Sequence, residues 1–316
     1  MEVNYDHILV TGSSGVLGHG LKSITDQFPN STFTFSNSQD CDLTDAKATV
    51  SYFKKLKPDA VMHLAAYSGG VALTAKYPAK MLKDNLLMTL NILEASVESN
   101  IQKVLLTLSS GMYPPSAEIP IKEEYIHLGA AHESNYSYSY AKRMMEPAIN
   151  AYRTEFGLKV IGLVPNGIFG EHDDFRDGSA VMVSSLIRRF YENKNGDSEI
   201  TVWGDGSPLR EYTYSADLAH IFMWCMENYD AADILNVGST EEHSVKEIAY
   251  IISDVLNINT NRIIFDTEKP GGVYRKSTDN SKFMNLSNHT YMPFKQGIEK
   301  TIKWFENNYP KNIRMD

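Results

Sequence analysis

Three side chains in this sequence have the types and spacing for a proton transfer coupled to a redox step. Tyr138 and Lys142 stand four residues apart in Tyr138-Ser-Tyr-Ala-Lys142, so on a helix they share one face. A lysine ammonium beside a phenol favours the phenolate, which lets the tyrosine exchange a proton with a reacting oxygen near neutral pH. Ser109 closes the apolar run Val104-Leu-Leu-Thr-Leu-Ser-Ser110, where its hydroxyl could hydrogen-bond the same oxygen. A tyrosine and a lysine at helical spacing are most often plain surface neighbours. The rest of the chain decides between the two readings.

The elements needed to position these groups are present. Ile8-Leu-Val-Thr reads as a short buried strand running into Gly12-Ser-Ser-Gly15-Val-Leu-Gly18, after which Leu17, Leu21 and Ile24 mark one face of a helix. Strand, glycines and helix in this register form a dinucleotide turn. Gly12 allows the tight turn, Gly15 lets the backbone approach a pyrophosphate, and Gly18 lets the helix pack on the strand, with Ser13, Ser14, Val16 and Leu17 alongside the phosphate.

A second strand, Thr32-Phe-Thr-Phe35, ends in Ser36-Asn-Ser38. No carboxylate stands there to bond a ribose 2′-hydroxyl or to repel a 2′-phosphate, so NADP is tolerated, and no arginine is there to select it. Asp42, followed by Leu43, either reaches the adenine or serves as a turn residue. Asp59-Ala-Val-Met-His-Leu-Ala-Ala66 and Val104–Ser110 repeat the strand-then-turn pattern, with a helix between them whose apolar face is Leu86, Leu90 and Leu93. Alternating strands and helices predict an α/β fold: a Rossmann-type doubly wound parallel sheet. Ligands of such sheets bind at the carboxyl ends of the strands. That rule places Gly12, Leu64, Ala65, Ala66 and Ser109 on one rim, with Tyr138 in the loop and helix above it.

Length and charge bound the function. A chain of 316 residues can hold one large domain and a smaller lobe. We expect residues 1–165 to be mainly the dinucleotide-binding domain and residues 166–316 mainly a C-terminal α/β substrate lobe, with elements interleaved between the two. A net charge of -9 and a pI near 5.5 speak against nucleic acid or an anionic membrane as partner. The sequence begins without a basic and apolar leader, and it contains no apolar run of membrane-spanning length, which predicts a soluble, cytoplasmic protein. The two cysteines, Cys41 and Cys225, have neither pairing nor metal-ligand spacing. No metal site is expected.

In the second half, Leu158–Val164 reads as another strand, and Val164-Pro-Asn-Gly-Ile-Phe-Gly170 leads into a loop with Glu171 and His172. A helix from about Val181 to Asn193 carries Arg188 and Arg189. Trp203 lies in Ile200-Thr-Val-Trp-Gly-Asp-Gly206, and Arg210 in Pro208-Leu-Arg-Glu-Tyr. Ser215 is expected to cap a helix. Ser244-Val-Lys-Glu247 is a capping box. Asp266 to Lys276 is a turn-rich basic segment, and an amphipathic helix follows through Trp304.

The order serine, tyrosine, lysine downstream of Thr-Gly-x-x-Gly-x-x-Gly resembles the extended short-chain dehydrogenase/reductase superfamily. Further segments resemble its GDP-L-fucose synthase branch, the NADPH-dependent GDP-4-keto-6-deoxymannose 3,5-epimerase/4-reductases. They are His63-Leu-Ala-Ala with Gly69-Gly70, the Ser-Ser-x-x-Tyr-Pro-Pro run from Ser109, Pro120-Ile-Lys-Glu-Glu, Asn135 to Met144, Pro165-Asn166, Val202-Trp-Gly-Asp-Gly with Arg210, and Asp266 to Lys276. Together they cover nearly the whole chain.

The resemblance implies that Ser109, Tyr138 and Lys142 form the reduction triad and that NADPH, or alternatively NAD, is the cofactor. It implies that the glycine turn, Ser36, Asp42, Leu43, Leu64 to Ala66, Pro165 and Asn166 hold that cofactor. Ser110, Gly111, Met112, Asn166, Arg188, Trp203, Arg210 and Lys276 would face a GDP-linked 4-keto sugar, and the enzyme would be a homodimer. A guanidinium at Arg210 suits a diphosphate on charge grounds as well.

The likeness fails at one pair. The branch uses a cysteine two residues after the catalytic serine and a histidine at the start of the helix carrying Arg188-Arg189 for 3,5-epimerisation. Here the first position is Gly111 and the second falls in Ser179-Ala-Val181. None of these side chains titrates near neutrality. Reduction at C4 is therefore expected without epimerisation, with Glu171 and His172 as the nearest stand-ins. The alternatives are a full synthase using such substitutes, a nucleotide-sugar 4-epimerase with retained NAD, and a non-catalytic dinucleotide-binding regulator.

Overall fold

The computed structural model describes residues 5–176, 179–269, 273–311 and 313. In chain order its strands are β1 (His7–Thr11), β2 (Thr32–Ser36), β3 (Ala60–His63), β4 (Lys103–Thr107), β5 (Lys159–Pro165), β6 (Gly167–Phe169), β7 (Ile200–Trp203), β8 (Leu209–Tyr214), β9 (Leu235–Val237), β10 (Glu242–Ser244) and β11 (Ile263–Asp266). Its helices are α1 (Val16–Lys22), α2 (Ala46–Leu56), α3 (Val71–Lys76), α4 (Pro78–Glu98), α5 (Tyr136–Arg143), α6 (Met145–Phe156), α7 (Met182–Glu192), α8 (Ser215–Asn228), α9 (Val245–Val255), α10 (Ser281–Leu286) and α11 (Phe294–Asn308). The Pro270–Gly272 part of the turn-rich basic segment lies outside the described residues.

Six strands form one parallel sheet in the order β2-β1-β3-β4-β5-β9. The apolar runs read from the sequence become strands buried on both faces, as helix-covered parallel sheets require. Ile8, Val10, Met62, Leu105 and Leu163 pack toward α1 and α8. Leu9, Val61, Val104, Leu106 and Val160 face the opposite layer of α2, α4 and α6. The chain passes from β1 to β2 on one side and then crosses to β3 on the other, so a switch point opens between β1 and β3, where such sheets bind ligands. The Gly12 turn and Leu64–Ala66 follow those two strands.

A second core joins α7, α9 and α11 to the small sheets β10-β8-β6 and β11-β7. Residues from the second half also return to the large sheet, through β9 pairing with β5 and α8 packing on α1.

Local expectations meet the structure unevenly. The Ser244 capping box forms as expected, with Glu247 N–H donating to the serine hydroxyl and the Glu247 carboxylate accepting from the Ser244 N–H. Ser215 instead opens α8 as its first helical residue, and Tyr214 holds the cap position. On α4 the expected apolar face is corrected: Leu90 is exposed, while Asp84, Asn85, Thr89 and Asn91 are buried with Leu93. The reason is the cleft and loops above the helix, whose backbone groups need partners. Asn85 accepts from Tyr67 N–H and donates to the Tyr67 and Met81 carbonyls, and Asn91 donates to the Leu43 carbonyl.

Candidate active site

The glycine turn is built by contact as much as by conformation. Gly12 has φ +71, and a Cβ there would lie 2.5 Å from the backbone nitrogen of Ala65. A Cβ on Gly18 would lie 2.6 Å from Ser13 Cα. These two glycines let β1, β3 and α1 converge. At Gly15 a Cβ would meet only the Gly12 carbonyl, at 3.4 Å, so this residue presents bare backbone to open space.

That space is a cleft of about 710 Å³ whose wall runs from Gly12, Ser14, Gly15, Val16, Leu17 and Gly18 past Leu64, Ala65 and Ala66 to Ser109, Tyr138 and Lys142, with Pro165 and Asn166 on the far side. Gly15, at the N-cap of α1, brings no side-chain cap, which leaves first-turn N–H groups of the kind that take an anion. Volume, bare glycine backbone and an elongated wall fit a dinucleotide whose pyrophosphate lies on the turn and whose nicotinamide end lies at Tyr138. The opposite end is formed by Ser36, Asn37, Ser38 and Asp42.

At the triad, Ser109 ends the β4 segment and its hydroxyl accepts from the Gly111 N–H at 3.2 Å. The Tyr138 hydroxyl is hydrogen-bonded to Ser109. Lys142 is buried on the same face of α5, with Nζ donating to the Thr107 carbonyl at 2.7 Å and lying 6.0 Å from the centre of the Tyr138 ring.

Burial corrects the expected direction of the tyrosine. It pushes the Tyr138 phenol up to about 12, against the smaller lowering pull of the Ser109 hydrogen bond. It pulls the Lys142 ammonium down to about 7. Desolvation dominates at both groups, so the phenol is protonated at neutral pH. Beneath them His63 is buried, with Nδ1 2.9 Å from Thr11 Oγ1. Burial first, and the Lys142 charge second, hold its imidazole neutral, with the pKa lowered to about 3.

Arg210, Lys276 and Trp203 lie in the second lobe outside the cleft wall; Arg210 (β8) donates to the Leu209 and Tyr274 carbonyls at 2.7 and 3.3 Å. The protein packed around Lys276 and, second, the positive charge of Arg210 bring the Lys276 ammonium down to about 8, although its side chain is open to solvent. Two cations held together in this way invite a polyanion. Trp203, 55% exposed at the end of β7, offers a free indole face in the same lobe.

Other expected site residues have different surroundings. Met112 is fully buried in the core and cannot touch a substrate. Arg188 is held by Glu192 Oε1 and the Phe175 carbonyl, each at 2.9 Å, and is not part of the cleft wall. Ser13 is buried, and its N–H goes to the Ser36 carbonyl, so it fastens β2 and does not reach a phosphate. Ser110 and Gly111 lie beside Ser109 but outside the cleft wall. Asn166 lines the cleft while donating to the Ser239 carbonyl and accepting from Thr213 Oγ1, both at 2.7 Å, which ties the end of β5 to β8 and to the loop after β9. Asp42 is a turn residue that accepts from the Thr44 N–H and hydroxyl, and it lines the cleft as well. Leu43 does so too.

Neither proposed stand-in for the missing acid/base pair reaches the triad. Glu171 accepts from the Tyr214 hydroxyl, and the His172 ring stacks on His19 at 3.7 Å. Both belong to a separate small cavity behind α1. Ser179 lines the cleft and donates to Asp174, and Val181 is the N-cap of α7. Sequence reasoning missed Asp174, Arg176 and Cys41 in the cleft wall, none of which carries a motif. It also passed over Tyr274, 61% exposed beside Arg210.

Residues 8–238 match the model of the NAD dependent epimerase/dehydratase family. The chain is 36% identical, over 96% of its length and 96% of the relative's, to a GDP-L-fucose synthase of Dictyostelium discoideum. Among solved structures it is similar to a GDP-L-fucose synthetase from Naegleria fowleri bound to NADP, with a TM-score of 0.92, 34% identity, and 98% of this chain and 95% of that one covered. It is also similar to a GDP-mannoheptose C4 reductase from Campylobacter jejuni with NADP bound, with a TM-score of 0.85, 25% identity, and coverage of 95% and 98%.

Proposed function

The chain belongs to the NAD dependent epimerase/dehydratase family, and from that premise we propose that it reduces the C4 ketone of a GDP-linked 4-keto sugar with NADPH. The observation that carries this reading is the Tyr138 phenol, kept protonated by burial, hydrogen-bonded to Ser109 and backed by Lys142 in the cleft that contains the glycine turn. The relatives' names and the NADP of the neighbouring structures support it.

When bound, NADPH supplies the hydride that adds to the carbonyl carbon. Tyr138 gives its hydroxyl proton to the oxygen as negative charge develops there, and Ser109 holds that oxygen in line. Lys142, charged below its lowered pKa, offsets the phenolate left behind and takes a ribose hydroxyl of the cofactor. The glycine turn holds the pyrophosphate, and the tip of β2, where Ser36–Ser38 bring no carboxylate of their own and the nearby Asp40 is tied to the Asn37 N–H at 2.9 Å, accepts a 2′-phosphate. Residues 1–165 thus carry mainly the cofactor, and residues 166–316 mainly the nucleotide-sugar, with Arg210 and Lys276 on the diphosphate and Trp203 on its apolar parts.

With Gly111 and Ser179–Val181 where the branch has a cysteine and a histidine, the branch's acid/base pair for proton exchange at C3 and C5 is missing. Reduction proceeds without 3,5-epimerisation. A homodimer is part of the same proposal: Leu82, Leu87 and Leu90 on α4, with Met144 just before α6 and Phe156 at its end, are exposed apolar side chains on neighbouring helices. Both cysteines are unpaired, as a reducing compartment allows, and we place the enzyme in the cytoplasm.

Turnover of a GDP-4-keto sugar with NADPH tests the reading. Stoichiometric NADPH loss is expected. Sugar isomerisation with no net NADPH loss would identify a 4-epimerase instead, and cofactor binding with no turnover would leave a regulator.

A further inference from the structure

The segment Tyr274–Asn280 crosses the lobe as a strap, fastened at several points. Leu209 N–H donates to the Tyr274 carbonyl at 2.8 Å. Ile121 N–H donates to the Ser277 carbonyl and Asp279 N–H to the Ile121 carbonyl, each at 2.8 Å. The strap therefore joins β8 to the segment that descends from Ser109. Lys276 rides in its middle.

Two carboxylates hold it from below. Glu211 on β8 and Glu242 on β10 face each other as a register pair of antiparallel strands, a juxtaposition of like charges that is unfavourable by itself. Glu211 Oε2 accepts from Thr278 N–H at 3.0 Å and from Thr278 Oγ1 at 3.3 Å. Glu242 Oε1 accepts from Arg275 Nε at 2.8 Å and from the Ser277 hydroxyl. The donors on both sides of Lys276 thus compensate the paired acids.

We propose that Glu211 and Glu242 are positioning residues that clamp this strap so that Lys276 stands beside Arg210 and the two cations face the diphosphate of the nucleotide-sugar together. The proposal rests on the reading that Arg210 and Lys276 bind that diphosphate. Its energetic logic is preorganisation: bringing a guanidinium and an ammonium together costs free energy, and the clamp meets that cost in the fold, before the ligand arrives. Burial, and to a smaller extent the Glu242 charge, raise the Glu211 carboxyl to about 7, whereas against its own burial the Arg275 and Ser277 hydrogen bonds hold Glu242 below the usual carboxylate range. Neither acid touches the reacting carbon.

The test uses the full-length protein with GDP as the probe ligand, alongside steady-state kinetics. Glu242→Gln and Glu211→Gln keep shape and remove charge. Each is expected to weaken GDP binding and raise KM for the GDP-4-keto sugar about ten-fold, the loss of roughly one charge-assisted hydrogen bond. The value of kcat at saturation and the Kd for NADPH should stay within about two-fold of wild type, a split that general structural damage would not give. Glu242→Asp should recover part of the loss. Lys276→Met serves as the reference. If it raises KM while both glutamine variants leave KM and GDP affinity unchanged, the clamp is refuted and the diphosphate reading stands. If Lys276→Met itself changes neither, the diphosphate reading falls and the clamp with it.

Discussion

The Lys142 ammonium lies 6.0 Å from the centre of the Tyr138 ring while its hydrogen bond goes to the Thr107 carbonyl. The lysine is fixed by the end of β4, while the phenol is hydrogen-bonded to Ser109. In the proposed reaction the two groups have distinct jobs, an acid in Tyr138 and, in Lys142, a charge that offsets the phenolate once it forms.

Replacing Tyr138 with Phe removes the acid and keeps the ring. We expect kcat to fall by about 10²- to 10⁴-fold, the usual contribution of a positioned general acid, with NADPH affinity little changed. Stopped-flow turnover and cofactor titration check this. Activity near the wild-type level would move the proton donor elsewhere.

Lys142 also predicts a stability effect with a definite sign. Its folded pKa is lowered from 10.5 to about 7, so between these values the unfolded chain binds a proton that the folded chain does not. A stability cost therefore builds up as pH falls from about 10.5 to about 7 and is constant below that. Lys142→Met should abolish turnover yet raise the unfolding free energy at pH 7 by on the order of 1 to 3 kcal/mol. Urea unfolding at pH 7 and pH 10 should show that gain shrinking at the higher pH. A gain that is absent, or that grows with pH, would contradict the assigned burial cost.

Cofactor choice is predicted to turn on the tip of β2. Asn37 Oδ1 accepts from the Gln39 N–H at 2.8 Å, a bond that aspartate can keep. Asn37→Asp adds a negative charge and keeps that acceptor, and KM for NADPH should rise about ten-fold relative to NADH, one like-charge contact's worth of discrimination. Unchanged relative KM values would place the 2′-phosphate away from this tip.

Lost epimerisation has its own readout. A GDP-4-keto sugar held in deuterated water with enzyme and no reduced cofactor should show no enzyme-dependent uptake at C3 or C5 by NMR. Fast uptake would demand a base that Gly111, Ser179 and Val181 cannot supply.

The glycine turn, the strand-end serine and the Tyr-x-x-x-Lys step were legible in the sequence because each depends on local register: a strand of fixed length, a tight turn, a helical spacing of four. Met112 and Arg188 were misplaced because neighbouring sequence does not say which face of a short helical turn or of α7 is covered. Asp174, Arg176 and Cys41 escaped notice because loops far apart in sequence bring them to the cleft wall. The clamp on the strap depends on the register of β8 against β10, which only the tertiary structure reveals. The raised tyrosine was read with the opposite sign, and the lowered lysine was not foreseen, because residue type gives the charge of a pair and not the depth of its burial.

The most direct measurement follows a label. NADPH carrying deuterium at the transferable nicotinamide position, mixed with GDP-4-keto-6-deoxymannose in ordinary water, should yield a sugar with a single deuterium at C4 and one NADPH consumed per product. A product without deuterium at C4, or one formed while the NADPH pool is untouched, would contradict hydride delivery to that carbon.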